Sequence, residues 1–269
     1  SIMFSDVRGF TTISETFKHD PQGLTQLMNR FLTPMTNAII ERKGTIDKYM
    51  GDAIMAFWNA PIDDADHEIN ACRAAIDMLR RVEDLNLERE AEAIANGQTF
   101  IPIQIGIGIN TGSCVVGNMG SDLRFDYSVL GDSVNLASRL EGRSKAYGTP
   151  IIVGAATAQK AKDEFAALEL DLITVKGKTE PERIYTILGG TDVAASADFR
   201  KISALNATML ACYRKRDWNG ALEALHLCRH MPNNFGLDEI YNLYLARIQS
   251  FQEKGPPDDW DGVFAVETK

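Results

Sequence analysis

The chain has 269 residues, 45% of them hydrophobic and 24% charged, with a formal net charge of -9 at pH 7. That length and apolar fraction allow one sizeable buried core and a small second one. The acidic balance excludes a nucleic-acid surface, which needs clustered Lys and Arg, so an anionic small substrate must be met by metal ions or a local basic pocket.

Residues 1 to 190 alternate strand-like and helix-like patterns. Ile2-Met3-Phe4 reads as a strand. Leu24, Leu27, Met28, Phe31, Leu32, Met35, Ile39 and Ile40 recur at helical spacing until Gly44 closes the helix. The stretch from Gly44 to Pro61 reads as two short strands joined at Met50-Gly51-Asp52, a hairpin with an acidic tip. Asp66 to Ala95 is helical, with Ile69, Cys72, Ala75, Ile76, Leu79 and Val82 on one face. The run IPIQIGIGINTG is a strand whose small residues allow close backbone approach. A Gly-rich turn, a second strand and a helix from Asp132 follow. Then come the strand TPIIV, a short helix, and a hairpin around a tight Lys-Gly-Lys turn. Helices interspersed with short strands favour a sheet with helices packed on it over a sandwich.

The small polar stretch GGTDVAASAD marks a boundary, giving a first domain over 1–190, a linker over 191–198 and a helical segment over 199–269. Leu205, Leu210, Tyr213, Trp218, Ala221, Leu225 and Pro232 fit the spacing of one tetratricopeptide-like helix pair. One such pair cannot bury itself and has to pack on the first domain or on another chain. Trp260 is the expected anchor of the terminal loop. The cysteines, Cys72, Cys114, Cys212 and Cys228, fall at no metal-ligand spacing and read as small hydrophobes of a reducing compartment. No apolar run approaches the roughly 20 residues of a membrane span, and the opening residues are not expected to be a signal sequence. The abrupt apolar opening suggests a piece of a longer protein, with a sensor or membrane region upstream. Its expected location is the cytoplasm, free or as the cytoplasmic domain of an anchored protein.

The chemistry begins at Asp6, an acid at the end of an apolar strand, before a turn containing Gly9, Phe10 and Thr11. A second acid, Asp52, sits at the Gly-marked hairpin tip. Strand ends and hairpin tips can converge at one sheet edge. Two carboxylates beside a glycine turn suit magnesium or manganese bound to a polyphosphate. On pattern alone, Asp6 as a turn cap and Asp52 as a turn acid stand equally open. Asn135 and Arg139 lie four apart on one face of the helix begun by Gly131-Asp132, a pair suited to a phosphoryl group with developing charge. The acids at Asp63, Asp64, Asp66 and Glu68 read as complements to a helix N-terminus rather than as a metal cluster. Arg8 stands open to either substrate or solvent, with solvent the expected side.

Taken together, FSDVRGFT, DKYMGDAIMAF, YSVLGDSVNLASRLE and VKGKTEPERIY resemble the class III nucleotidyl cyclase catalytic domain in order and spacing, over residues 1 to 188. The resemblance implies an α+β fold, a ferredoxin-like βαββαβ nucleotidyl cyclase core, here with a small C-terminal helical extension. It also implies a head-to-tail homodimer with active sites shared between chains, and conversion of a nucleoside triphosphate to a 3′,5′-cyclic monophosphate and pyrophosphate. Two divalent cations, Mg2+ or Mn2+, would be held by Asp6, Asp52 and the Val7 carbonyl. Gly9, Phe10 and Thr11 match the phosphate-cradling turn, Lys176 the phosphate lysine, and Asn135 and Arg139 the pair that orients the ribose and stabilises the α-phosphoryl transition state. No side chain of these motifs is an obvious general base.

The resemblance places base recognition at Lys48, four residues before Asp52, with Ser128 opposite it. A lysine donor suits N1 of adenine, whereas guanine, with N1–H, calls for an acceptor. The expected substrate is therefore ATP, made into cyclic AMP. Ser128 stands where many adenylyl cyclases carry Asp and a subgroup carries Thr; its hydroxyl can donate or accept and does not discriminate alone. Asp126 is the reserve candidate. Two other readings remain at this point: a guanylate or dual-specificity cyclase, and a homologue that binds nucleotide or a partner without turnover.

Overall fold

A computed structural model describes residues 1–174, 180–257 and 260–265. They form two compact units, Ser1–Gly142 and Arg143–Lys269.

The first unit runs β1 (Ile2–Val7), α1 (Phe10–Thr16), α2 (Pro21–Glu41), β2 (Thr45–Met50), β3 (Ala53–Phe57), α3 (His67–Asn96), β4 (Ile105–Asn110), β5 (Val115–Ser121), β6 (Arg124–Leu130) and α4 (Asp132–Arg143). Four strands lie in the order β4-β1-β3-β2. Each neighbour pair is antiparallel. With α2 between β1 and β2 and α3 between β3 and β4, this is the expected ferredoxin-like βαββαβ core. The alternation that marks a strand explains β4. Ile105, Ile107 and Ile109 are buried on one face, while glycines occupy the other. A Cβ at Gly108 would lie 2.2 Å from the Glu141 nitrogen and 2.3 Å from the Ala137 oxygen. Only glycine lets α4 sit this close to β4. Gly108→Ala is expected to cost about 3 kcal/mol through forced displacement of the α4 backbone, visible as a lower urea midpoint.

Two local expectations need correction. The turn after α2 is made by Lys43 at φ +62°, not by Gly44. Gly44 donates to Ile39 O at 2.9 Å and lacks a side chain because a Cβ there would meet Ile39 and Trp58 at 2.5 and 2.8 Å. The Gly-rich stretch after Cys114 is not a turn but strand β5, paired antiparallel with β6 from Val115↔Leu130 to Ser121↔Arg124. This hairpin carries exposed Val115, Leu123, Phe125 and Leu130.

The second unit contains β7 (Ile151–Gly154), α5 (Ala155–Ala161), β8 (Ala167–Thr174), β9 (Glu182–Ile187), α6 (Thr191–Ala194), α7 (Ala197–Arg214), α8 (Trp218–Arg229), α9 (Asp238–Lys254) and β10 (Phe264–Ala265). Its strands lie in the order β10-β8-β9-β7. The C-terminal helices are present and dock on β8 where its register shifts between Glu169 and Asp171. Asn206 Nδ2 donates to Glu169 O and Tyr244 Oη to Leu170 O, both at 2.8 Å. Arg247 pairs with the buried Asp171 at 2.6 Å. A buried charge pair needs such satisfaction, because removing one partner strands the other in low dielectric. Trp260 anchors the terminal loop as expected, its ring 5.1–5.9 Å from those of Phe251, Tyr213 and Trp218. All four cysteines are free thiols, with Cys72 and Cys228 buried. Among the described residues, no helix is long and apolar enough to cross a membrane.

Candidate active site

Strand β1 carries Asp6 and ends at the buried Val7. Gly9 then takes φ +67°, a left-handed conformation that glycine adopts without strain, and begins α1. Phe10 and Thr11 form the first turn of that helix, where backbone amides have no intrahelical acceptor. On the neighbouring hairpin, Gly51 at φ +68° turns the chain and leaves Asp52 just before β3. β1 and β3 are antiparallel with Ser5 opposite Ile54. Continuing that register by two residues brings Asp52 level with Val7, beside Asp6. The Asp52 carboxylate lies close enough to Asp6 to bear on its titration. Burial, followed by the hydrogen bond and charge of Asp52, pushes Asp6 up to about 6 from its ordinary 3.8.

A third carboxylate bears on this pair through its charge. Glu141, on α4, is pushed up to about 7, by burial first and then by the charge of Asp6, with Arg8 opposing. Arg8 is correspondingly not a solvent residue. It is half-buried beside Glu141, and burial lowers its pKa. Glu141 escaped sequence reasoning because it stands two residues beyond Arg139, on another flank of the helix. Its only signal was an acid on a helix whose small residues let it approach the β4 glycines. Asn135 is exposed and Arg139 half-buried on α4, and among the described residues neither is joined to Asp6 or Asp52 by a hydrogen bond or ion pair. Thus the β1–β3 register brings Asp6, Val7, Gly9 and Asp52 together within the chain, and Asn135 and Arg139 make no bond to them among the described residues. Lys176 lies outside the described residues.

Lys48 and Ser128 do converge, through a residue the sequence reading passed over. Asp47 has a fully buried side chain. One of its oxygens accepts from Ser128 Oγ at 2.7 Å and from Val129 N at 3.3 Å. The other lies 3.1 Å from Lys48 Nζ. Asp126, by contrast, is exposed near Arg124. Asp64 is no mere helix-end acid, since it is buried and accepts from Asn70 Nδ2 at 2.8 Å and Lys43 Nζ at 3.2 Å.

A family model described as the adenylate and guanylate cyclase catalytic domain matches residues 1–189. Adenylate cyclase 1 of Rhizobium meliloti is 34% identical over 187 residues, covering 70% of this chain but only 27% of that protein. The crystal structure of the adenylyl cyclase CyaB from P. aeruginosa superposes with a TM-score of 0.58 at 35% identity, over 69% of this chain and 91% of that one. The guanylyl cyclase Cya2 does so with a TM-score of 0.59 at 32% identity, over 70% and 91%. Its ferredoxin-like core and its match over residues 1–189 make this chain a member of the adenylate and guanylate cyclase catalytic domain family.

Proposed function

We propose that the chain is an adenylate cyclase that converts ATP to 3′,5′-cyclic AMP and pyrophosphate in sites shared by two copies. It would serve as the output domain of a larger signalling protein. The observation that carries this reading is the β1–β3 register, which sets Asp52 beside Asp6 at the Gly9 turn. Ionised side by side and partly buried, two carboxylates repel, and burial already favours the protonated form of Asp6. A divalent cation would reverse that preference, so the donor set fits a metal.

Asp6, Asp52 and the Val7 carbonyl would hold two Mg2+ or Mn2+ ions. Bound there, these ions would lower the pKa of the ribose 3′-hydroxyl and neutralise the triphosphate. The amides of the Gly9-Phe10-Thr11 turn and the Lys176 ammonium bind the terminal phosphates. Asn135 orients the ribose, while the Arg139 guanidinium meets the charge that grows on the α-phosphoryl oxygens as the 3′-oxygen attacks and pyrophosphate leaves. That neither Asn135 nor Arg139 bonds to Asp6 or Asp52 within one chain, among the described residues, supports their delivery by a partner copy. Exposed Val115, Leu123, Phe125 and Leu130 on the β5–β6 hairpin supply an apolar surface that such a partner would bury. Lys48 and Ser128 read the base. Residues 199–269, with their tetratricopeptide-like spacing, would form a protein-interaction segment beyond a catalytic domain of residues 1–190 and a linker of residues 191–198.

The test is turnover of ATP and GTP by the chain with Mg2+ or Mn2+. Cyclic AMP should form with kcat/KM at least about tenfold above that for cyclic GMP, the discrimination expected of a site that hydrogen-bonds one base edge. Comparable rates would defeat the adenine assignment. A dimer that binds nucleotide and makes neither product would be a catalytically inactive homologue.

A further inference from the structure

Adjacent residues of a regular strand point to opposite faces, so Asp47 and Lys48 should diverge. They do not, because β2 carries an irregularity there. Ile46 opposes Ala56 and Lys48 opposes Met55, which leaves Asp47 as the extra residue of a bulge. A bulge of this kind re-aims side chains. Here it brings the Asp47 carboxylate beneath Lys48 and against Ser128 of β6.

We infer that Asp47 is a positioning residue that sets base selectivity by fixing which partner in the Lys48–Ser128 pair donates and which accepts. This rests on the adenylate cyclase reading and deepens it. A hydroxyl has one proton and two lone pairs. An ionised carboxylate only accepts, so the 2.7 Å contact commits the Ser128 proton to Asp47. The Val129 amide, on the same Asp47 oxygen, keeps that oxygen an acceptor. Ser128 is left with lone pairs alone for a ligand. The other Asp47 oxygen is fully buried and has no hydrogen-bond partner of good geometry, so the Lys48 ammonium 3.1 Å away is its compensating charge. Lys48 is thereby held as a donor next to an obligate acceptor. Adenine presents the complement on its Watson–Crick edge, an acceptor at N1 and an amino donor at N6. Guanine reverses both, with N1–H as donor and O6 as acceptor. Asp47 thus converts an ambiguous serine into an adenine-selecting one without touching the base.

The experiment compares kcat/KM and Kd for ATP and for GTP in the unmodified chain, Asp47→Ala, Asp47→Asn, Ser128→Ala, and Asp47→Ala combined with Ser128→Ala. Asp47→Ala should lower the ATP-over-GTP ratio by about tenfold or more, chiefly through KM and Kd, with kcat for ATP less affected. Ser128→Ala should do much the same. The double variant should fall no more than about twofold below Asp47→Ala, because both changes remove one function. Asn keeps an acceptor for Ser128 and loses the charge that holds Lys48, so Asp47→Asn should fall between the parent and Asp47→Ala. A merely structural role would lower stability and leave the ratio alone. A ratio within about twofold of the parent in folded, dimeric Asp47→Ala overturns the inference, as do fully additive effects of the two changes. Should Asp47→Ala fail to fold, an unchanged ratio in Asp47→Asn overturns it equally. An unmodified chain without turnover defeats the cyclase reading alone, since the Kd ratios still decide the role of Asp47.

Discussion

Equal amounts of Asp52→Ala and Arg139→Ala chains, each inactive alone, should regain about a quarter of the unmodified cyclic AMP production when mixed. The figure follows from symmetry, since random pairing makes half the dimers mixed and each mixed dimer has one of its two sites intact. That site takes Asp6 and Asp52 from the Arg139→Ala chain and Asn135 and Arg139 from the other. Each single variant should lose at least about 100-fold in kcat, the scale for removing a group that meets transition-state charge. Within a chain, Asp6 stands beside Asp52 and feels the charge of Glu141, while Asn135 and Arg139 make no hydrogen bond or ion pair with either aspartate among the described residues, so on the shared-site reading rescue requires the second copy. Confirmed mixed dimers with no recovered activity would rule out the shared site. A single variant retaining activity would remove that residue from the mechanism.

Asp6→Asn should make the metal-free chain more stable while abolishing its activity. The Asp6 carboxyl titrates at about 6 in the folded chain against an ordinary 3.8, so between those values the native state holds more protons than the unfolded one. Stability contributed by this group therefore falls as pH rises from about 4 to about 6, and the penalty is complete above that window. Solvent around a half-exposed group reduces the full linkage value to about 1 kcal/mol. With metal removed by chelation at pH 7.5, Asp6→Asn should melt about 2–4 °C higher than the parent. It should also lose the part of the pH slope that lies between 4 and 6. Its cyclase rate should fall by at least about 100-fold with saturating Mn2+. Destabilisation at neutral pH would show that the Asp6–Asp52 contact is an ordinary stabilising hydrogen bond. Retained activity would show that Asp6 holds no required ion.

Reading the sequence alone recovered most of the fold and named the residues of a candidate site. The alternation in IGIGIN, the helical spacing from Leu24 to Ile40 and the Gly51 hairpin are local periodicities, and local periodicity reports backbone geometry directly. The failures were also local but lacked a distinguishing signal. Gly44 looked like a helix cap, yet Lys43 takes the left-handed turn and Gly44 is required by the closeness of Trp58. Arg8 looked exposed, yet it is half-buried beside Glu141.

What the sequence determined by itself was the order of the elements and the residue types of the site: two acids at Gly-marked positions, a helical Asn and Arg, and a lysine four residues before the second acid. What only the tertiary structure decided was which of these meet. Asp6 and Asp52 come together because β1 and β3 pair in one register, and a one-residue slip would turn each side chain to the opposite face. Asp47 joins Ser128 and Lys48 because of a single extra residue in β2. The charge of Asp6 is felt at Glu141 because a glycine in β4 lets α4 lie against the sheet. Register, bulge and close approach depend on contacts between residues distant along the chain, and no local pattern encodes them.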